Sequence, residues 1–426
     1  LGTQYASLFV FREYFCIPYS YLFSIVGDAF LTHNLRVAQS FQNILIYEDA
    51  IARSRKFLPL TYTRCVAELR SGTFTCIERI RARFPEARIY LHARPELKNV
   101  IVERYSLPVN EIPKGSTLLV NARTSLNSIA NNGNVYDTLP PEVSKQLISG
   151  EPIDAQTNDA PRSLWDIIHS NAEAIKADSE LWSKTHSKAE RPFFPNCAIV
   201  NPENLFVHPT AHIDSGVVLD SSEGAIIVEE GVHIMPLATI IGPAFIGKHS
   251  LVKIGAKIYG GTSIGPVSKV GGEIENSIIQ GFSNKQHDGY LGHSYLGLWV
   301  NIGAGTNTSD LKNDYSPVRI TMEGEEFNTN SLFVGLLMGD HSKSAIGTQF
   351  NTGTVVGVSC NIFGIRFPPK WIPNFSWAGE NGLESYRCEK AIEVAKIVMR
   401  RRDQELTTAS EAMLRNLFHN ETRSSG

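Results

Sequence analysis

From about Pro192 onward an aliphatic residue recurs at every sixth position. Val228, Ile234, Ile240, Ile246, Val252, Ile258, Ile264 and Val270 follow without a slip, and Val207 and Ile213 set the same step earlier. Two positions before these anchors stand small residues: Ala238, Ala244, Ser250, Ala256, Thr262 and Ser268. An α-helix cannot place a six-residue period on one face, and a plain strand alternation would not select every third inward position. A coil of short strands joined by tight turns does both: each hexapeptide makes one flat side, its aliphatic residue points inward and the small residue fits the corner. Gly247, Gly265 and Gly271, just after anchors, suit turns with unusual backbone angles. A parallel β-helix is therefore expected over residues 191–382.

At 426 residues the chain exceeds the usual single-domain size, so a second domain is expected. Charged content of 19% and a net charge of -3 offer no general attraction to nucleic acid or anionic lipid, which points to small-molecule partners without nucleic acid or membrane. Cys16, Cys65, Cys76, Cys197, Cys360 and Cys388 are scattered without a CxxC pair, so neither a zinc site nor a disulfide framework is expected, and a reducing cytoplasm fits. The apolar stretch "YFCIPYSYLFSIVGDAFL" is broken by Pro18 and Asp28. Residues 1–41 are set apart as an uncertain leader, a membrane or targeting segment being the alternative.

Residues 42–190 alternate strand and helix signals. "NILIYED", "ARIYLHA" and "STLLVNAR" read as strands, and an amphipathic helix follows "VAELRSG". Ser163 is a good N-cap for a helix with apolar spacing at Leu164, Ile167, Ile168 and Ile175. The expectation is a small α/β domain with a mainly parallel sheet. After the β-helix, residues 383–426 form a helical tail, read as one long helix to about Phe418.

The six-residue step fails across residues 271–310, where Asn284, Lys285, Gln286, His287, Asp288, His293, Asn301 and Asn307 crowd in. A histidine beside lysine and amides suits acyl transfer: neutral imidazole takes a proton from an attacking amine, and amides hold a developing oxyanion. The stretch is expected to be a catalytic insertion. Beyond Ile302, residues 310–335 are expected to leave the coil as a loop or strand excursion.

The segment "GHSYLGLWVNIGAGTNTSD" resembles the acetyltransferase half of the GlmU family, the bifunctional glucosamine-1-phosphate acetyltransferases and N-acetylglucosamine-1-phosphate uridylyltransferases. Gly292 and His293 match its Gly-His pair, Tyr295 to Gly297 its Tyr-Leu-Gly, and Val300 to Thr306 its VNIGAGT. Tyr295 follows His293 by two positions where the family has three, and Asp310 and Leu311 stand where it has Asn-Tyr. The resemblance implies a left-handed β-helix in a homotrimer, with His293 as catalytic base and acetyl-CoA as cosubstrate. It implies acceptor binding by Lys285 and Tyr295, with Asn284, His287 and Asn301 beside them, and no metal in this step.

The stretch "RSRKFLPLTYTRCVAELRSGTFTCIERI" resembles the start of sugar-phosphate nucleotidyltransferases and retains "LPLT" without the glycine-rich loop that precedes it there. Arg55, Lys56, Thr61, Arg64 and Arg70 are the candidate nucleotide-binding residues, a solvated basic face being the alternative. Asn121 stands where those enzymes carry a magnesium-binding aspartate. The order of the two regions resembles the alternative GlmU-like proteins, described as sugar nucleotidyltransferases. It implies nucleotide-sugar synthesis toward a UDP-N-acetylglucosamine-type product, with an NTP and Mg2+ used by the N-terminal domain if it is active. The rival reading is a non-catalytic trimeric β-helix scaffold or sensor with a degenerate nucleotidyltransferase domain.

Overall fold

The computed structural model describes residues 41–124, 134–153, 160–185, 194–364 and 367–424, so residues 1–41, read as a leader, lie outside the described residues save for Phe41. Among the described residues no helix is long and apolar enough to cross a membrane.

Asn43–Tyr47 is buried along its whole length because it is an inner strand of the four-stranded N-terminal sheet. Arg88–Leu91 and Thr117–Asn121 flank it in parallel register, and Val135–Tyr136 adds an antiparallel edge. A near-continuous apolar run is what a parallel strand covered on both faces requires. The helix Cys76–Arg83 starts at a capping box: the Thr75 hydroxyl accepts from the Glu78 amide, and the Glu78 carboxylate accepts from the Thr75 amide. The Ser163 hydroxyl caps Leu164–His169 by accepting from the Asp166 amide at 3.2 Å, and Asn171–Thr185 follows.

The β-helix is a three-sided stack whose main sheets hold six, nine and five parallel strands. The eight anchors from Val228 to Val270 are at most 1% exposed and fill its lumen, with the small residues buried beside them. Each such burial stabilises the coil by roughly 1.5–3 kcal/mol. Beyond Val270 the step fails but the coil continues. Shorter turns bring Ile274, Ile279, Leu291, Leu296 and Ile302 into the same lumen. Residues 271–310 are thus coil and not an insertion. The excursion comes next, carrying the antiparallel hairpin Arg319–Met322 and Glu325–Asn328 before Leu337–Met338 rejoins the nine-stranded sheet.

The expected single C-terminal helix is two, Cys388–Arg400 and Thr408–Ser424. Asp403 takes a left-handed conformation between them (φ 55°), and the Thr407 hydroxyl accepts from the Ser410 amide at 3.2 Å to start the second. Asp tolerates that conformation and Thr is a favoured N-cap, so "RDQELTT" breaks the helix without glycine or proline.

The two domains share one core, in which Ile278, Tyr295, Leu337 and Val355 of the β-helix pack with the N-terminal sheet and helices. Along the seam the chain around "AELRSG" bonds to side chains of successive coils. Gln280 donates to the Glu68 carbonyl at 2.7 Å and accepts from the Arg70 amide at 3.0 Å. Ser263 donates to the Gly72 carbonyl at 2.8 Å, and Asn171 reaches the Gly261 carbonyl at 2.8 Å. At the far end Asp340 is buried against the Arg64 guanidinium; it also accepts from Thr63 Oγ1 at 2.7 Å and from the Leu298 amide at 2.8 Å. A β-carbon on Gly297 would lie 2.4 Å from Asp340 Oδ1, so glycine is required for that approach.

Removing one partner of a buried ion pair leaves the other charge unpaired, at about 3–5 kcal/mol. Asp340→Asn and Arg64→Met are each expected to lower the urea unfolding midpoint accordingly, while Arg64→Met combined with Asp340→Leu recovers part of the loss. The neighbouring His341 adds a pH dependence. Burial pushes its pKa from 6.5 down to about 4, Lys343 and Arg64 adding to the effect against the opposing pull of Asp340. The unfolded chain therefore binds the proton first, so this contribution is complete above about pH 6.5 and is lost as pH falls toward 4. Unfolding midpoints measured across that window should decline, and His341→Gln should flatten the slope.

Candidate active site

His293 lies at a corner of the β-helix between the strands Tyr290–Gly292 and Tyr295–Leu298, in a left-handed conformation (φ 41°). Its amide donates to the Glu275 carbonyl at 3.1 Å, one coil away, and its carbonyl accepts from the Gly335 amide at 2.9 Å. With its backbone fixed on both sides, the imidazole sets Nδ1 2.8 Å from Asp310 Oδ2 and Nε2 3.3 Å from the Asn276 amide nitrogen. A carboxylate oxygen only accepts, so Nδ1 carries a proton, and the Asn276 side-chain nitrogen is placed to donate to the lone pair of Nε2. This arrangement can act as a general base: the carboxylate orients the ring and stabilises the imidazolium formed on proton uptake.

Four segments close around the pair. Tyr290 places its hydroxyl 2.9 Å from Asp310 Oδ2 and 3.0 Å from Glu275 Oε2; burial, followed by Asp310, raises its pKa. The Phe333 ring, from the excursion, stacks on His293 with centroids 4.9 Å apart. His169, from the helix Leu164–His169, lies 5.9 Å from His293 and bonds to Ser331 Oγ at 2.8 Å. Burial and the neighbouring His293 hold the His169 pKa below its ordinary value, which favours the neutral ring. Gly292 has no alternative here, since a β-carbon would lie 2.3 Å from both Asp310 Oδ2 and the Tyr290 hydroxyl.

Asp310, Asn276, Tyr290, Glu275 and His169 are absent from the candidates chosen by motif. A signal for two of them exists, because Asn276, His293 and Asp310 are separated by 17 residues each, which is one coil at this level of the stack. His169 has no such signal, since it arrives from the other domain.

The remaining candidates are placed elsewhere. Tyr295 is fully buried in the domain seam, its hydroxyl donating to the Arg70 carbonyl or Gln280 Oε1 at 2.9 and 2.7 Å, so it does not face the His293 corner. Lys285 takes the register of Val270, and its ammonium is spent on the carbonyls of Gly271 (3.2 Å) and His287 (2.5 Å). Burial pushes its pKa down to about 8. Asn284 and Asn301 stack as an amide pair at 3.2 Å, covered by Arg402 at 2.8 Å from Asn284 Oδ1, and His287 is exposed on a turn.

The basic set of the N-terminal domain is likewise committed to structure. Arg64 pairs with Asp340. Arg70 lies over the Phe245 ring at 5.4 Å, and Arg55 bonds to Glu323 and Glu325 on the hairpin at 2.6 and 3.1 Å. Lys56 lies 6.0 Å from the Phe327 ring, and the Thr61 hydroxyl donates to the Phe57 carbonyl at 3.1 Å. At the carboxyl ends of the parallel strands Asp49 is held by Arg123 and accepts from Asn121 at 2.9 Å, while Glu48 accepts from the Val66 amide at 2.9 Å and faces Arg53 at 3.4 Å. Burial pushes the Glu48 carboxyl up. Both Asp49 oxygens accept hydrogen bonds, whereas Glu48 Oε2 is buried beside Arg53 without a hydrogen bond.

Histidine 15N NMR should report His293 as a single Nδ1-protonated tautomer. Asp310→Ala is expected to produce a tautomer mixture while the fold persists.

Residues 44–131 match the family model described as sugar nucleotidyl transferase. The bifunctional protein GlmU of Methanococcus aeolicus is 29% identical over 170 residues, 39% of this chain and 37% of that protein. That of Bartonella quintana is 26% identical over 244 residues, 55% of this chain and 53% of that protein. The chain thus matches between about a third and about half of the length of these relatives. PerB from Caulobacter crescentus, solved in complex with CoA and GDP-perosamine, is 14% identical over 44% of this chain and 57% of that one, with a TM-score of 0.14, a likeness too distant to carry an argument. A segment matching the sugar nucleotidyl transferase model, followed by a hexapeptide β-helix and joined to partial matches with bifunctional GlmU proteins, makes the chain similar to GlmU-like nucleotidyltransferase and acetyltransferase proteins.

Proposed function

We propose that this chain transfers an acetyl group from acetyl-CoA to the amine of an amino-sugar phosphate at the His293 corner, in the cytoplasm and as a homotrimer. The observation that carries the reading is the His293–Asp310 pair, held by one-coil spacing with Nδ1 on the carboxylate and Nε2 turned away from it. The amine nitrogen attacks the thioester carbonyl while Nε2 takes the amine proton. The tetrahedral intermediate then collapses with cleavage of the C–S bond, and the imidazolium returns the proton to the departing thiolate, leaving amide and free CoA. Asp310 stabilises the transient positive charge, and a neutral His169 adds no second one. The acceptor phosphate is held by groups other than Lys285 and Tyr295, whose polar atoms are engaged within the fold.

Nucleotidyl transfer is not part of this proposal. Arg64, the basic residue of the "LPLTYTR" stretch, pairs with Asp340 across the domain seam, and the nearby carboxylates of Glu48 and Asp49 face Arg53 and Arg123. The N-terminal domain is read instead as a docked partner that supplies His169 to the acyl-transfer corner.

Thiol release from acetyl-CoA with glucosamine-1-phosphate tests the reading. His293→Ala and Asp310→Asn should each lower kcat by roughly a hundred- to ten-thousand-fold. Lys285→Met should leave the acceptor KM unchanged, and UTP or dTTP should yield no pyrophosphate above the blank. If no acetylated product appears with any of several amino-sugar phosphates, the acyl-transfer reading fails and the scaffold reading replaces it.

A further inference from the structure

On the outside of the β-helix, at its N-terminal end, two histidines stand one above the other. The strand His212–Ile213 pairs in parallel with His233–Ile234, so Ile213 and Ile234 face the lumen while His212 and His233 face solvent. Leu251 takes the same register in the next coil, which ends the column at two. Asp214 brings its carboxylate to both rings, Oδ1 2.8 Å from His212 Nε2 and Oδ2 2.8 Å from His233 Nε2. The ring centroids are 4.9 Å apart.

Two features make this more than a surface ion pair. Both imidazoles turn the same nitrogen toward one carboxylate, and the three donor atoms converge within 4.8 Å of one another. The backbone holds them there: the His212 amide donates to the Val232 carbonyl at 2.8 Å and the Asp214 amide to the Ile234 carbonyl at 2.9 Å. Ligands at about 2.0–2.2 Å from a tetrahedral ion lie about 3.4 Å from each other, so the two nitrogen–oxygen contacts at 2.8 Å open by about half an ångström while the wider separations, none above 4.8 Å, close around the ion. The His212 and His233 side chains are 70% and 40% exposed, which leaves an entry path and an open coordination position.

We propose that His212, Asp214 and His233 form a site for a divalent transition metal ion, with zinc(II) as the reference case, bound by two imidazole nitrogens and a carboxylate and completed by water. The ion would bridge the first coil to the second. Val207 and Ile213 of that first coil are only partly buried, unlike the anchors further along, and a terminal repeat with one stacking neighbour gains most from such a staple. This proposal is independent of the acyl-transfer reading, since the site shares no residue with the His293 corner.

The test uses the full chain, stripped with chelator and dialysed, then titrated with zinc sulfate by calorimetry and with cobalt(II) by visible absorption. One ion per chain is expected in the micromolar range, with cobalt d–d bands, no thiolate charge-transfer band, and a zinc-dependent rise in Tm of a few degrees. Asp214→Asn, nearly isosteric, and His233→Ala should each weaken binding at least about tenfold, while His287→Ala, an exposed histidine elsewhere, should bind as the wild type does. Absence of binding, a thiolate band, or binding that persists unchanged in Asp214→Asn would overturn the proposal. Far-UV circular dichroism of each variant separates lost binding from lost fold.

Discussion

The buried pairing of Arg64 with Asp340 is the constraint on which the arrangement of this molecule depends. A guanidinium and a carboxylate removed from water are tolerable only if each finds its partner, and here the partners come from different domains. Thr63 and the Leu298 amide take the remaining carboxylate capacity, and Gly297 leaves room for it. The N-terminal domain is thereby fixed against one face of the β-helix, and the helix that follows its sheet delivers His169 to the far side of His293.

The same constraint explains why the two most suggestive motifs mislead in part. "LPLTYTR" reads as a phosphate-binding segment, yet Arg64 and Thr63 meet Asp340. "YLG" reads as acceptor-binding, yet Tyr295 closes the seam and Gly297 accommodates Asp340. Both segments lie on opposite sides of one interface, and a charge buried at an interface looks, in a sequence, like a charge kept for a ligand. The glycine-rich loop missing before "LPLT" and the asparagine at 121 agree with a domain that has a structural task.

What was legible followed from periodicity. Six-residue spacing located the β-helix and its lumenal residues because every coil repeats the same steric demand, while the strands of the N-terminal sheet stood out as continuous apolar runs, as strands covered on both faces must be. The spacing broke at residues 271–310 because the turns shorten there while the sides still stack, which a fixed step of six cannot follow. His293 was found by motif, whereas its partner Asp310 required the 17-residue coil length at that level. His169 and Phe333 were hidden because tertiary contacts bring them from a helix and an excursion with no local pattern. The split of the C-terminal helix was written in Asp403 and Thr407, polar residues whose capping role is easily read as helical surface.

The central claim is that the paired imidazole of His293 moves the proton during acyl transfer. The most direct measurement is the pH dependence of kcat for acetyl transfer in wild type and Asp310→Asn. The account predicts a variant with a large loss in kcat at every pH and little change in acceptor KM. Equal kcat in the two proteins, or acetyl transfer that survives in His293→Ala, would contradict it.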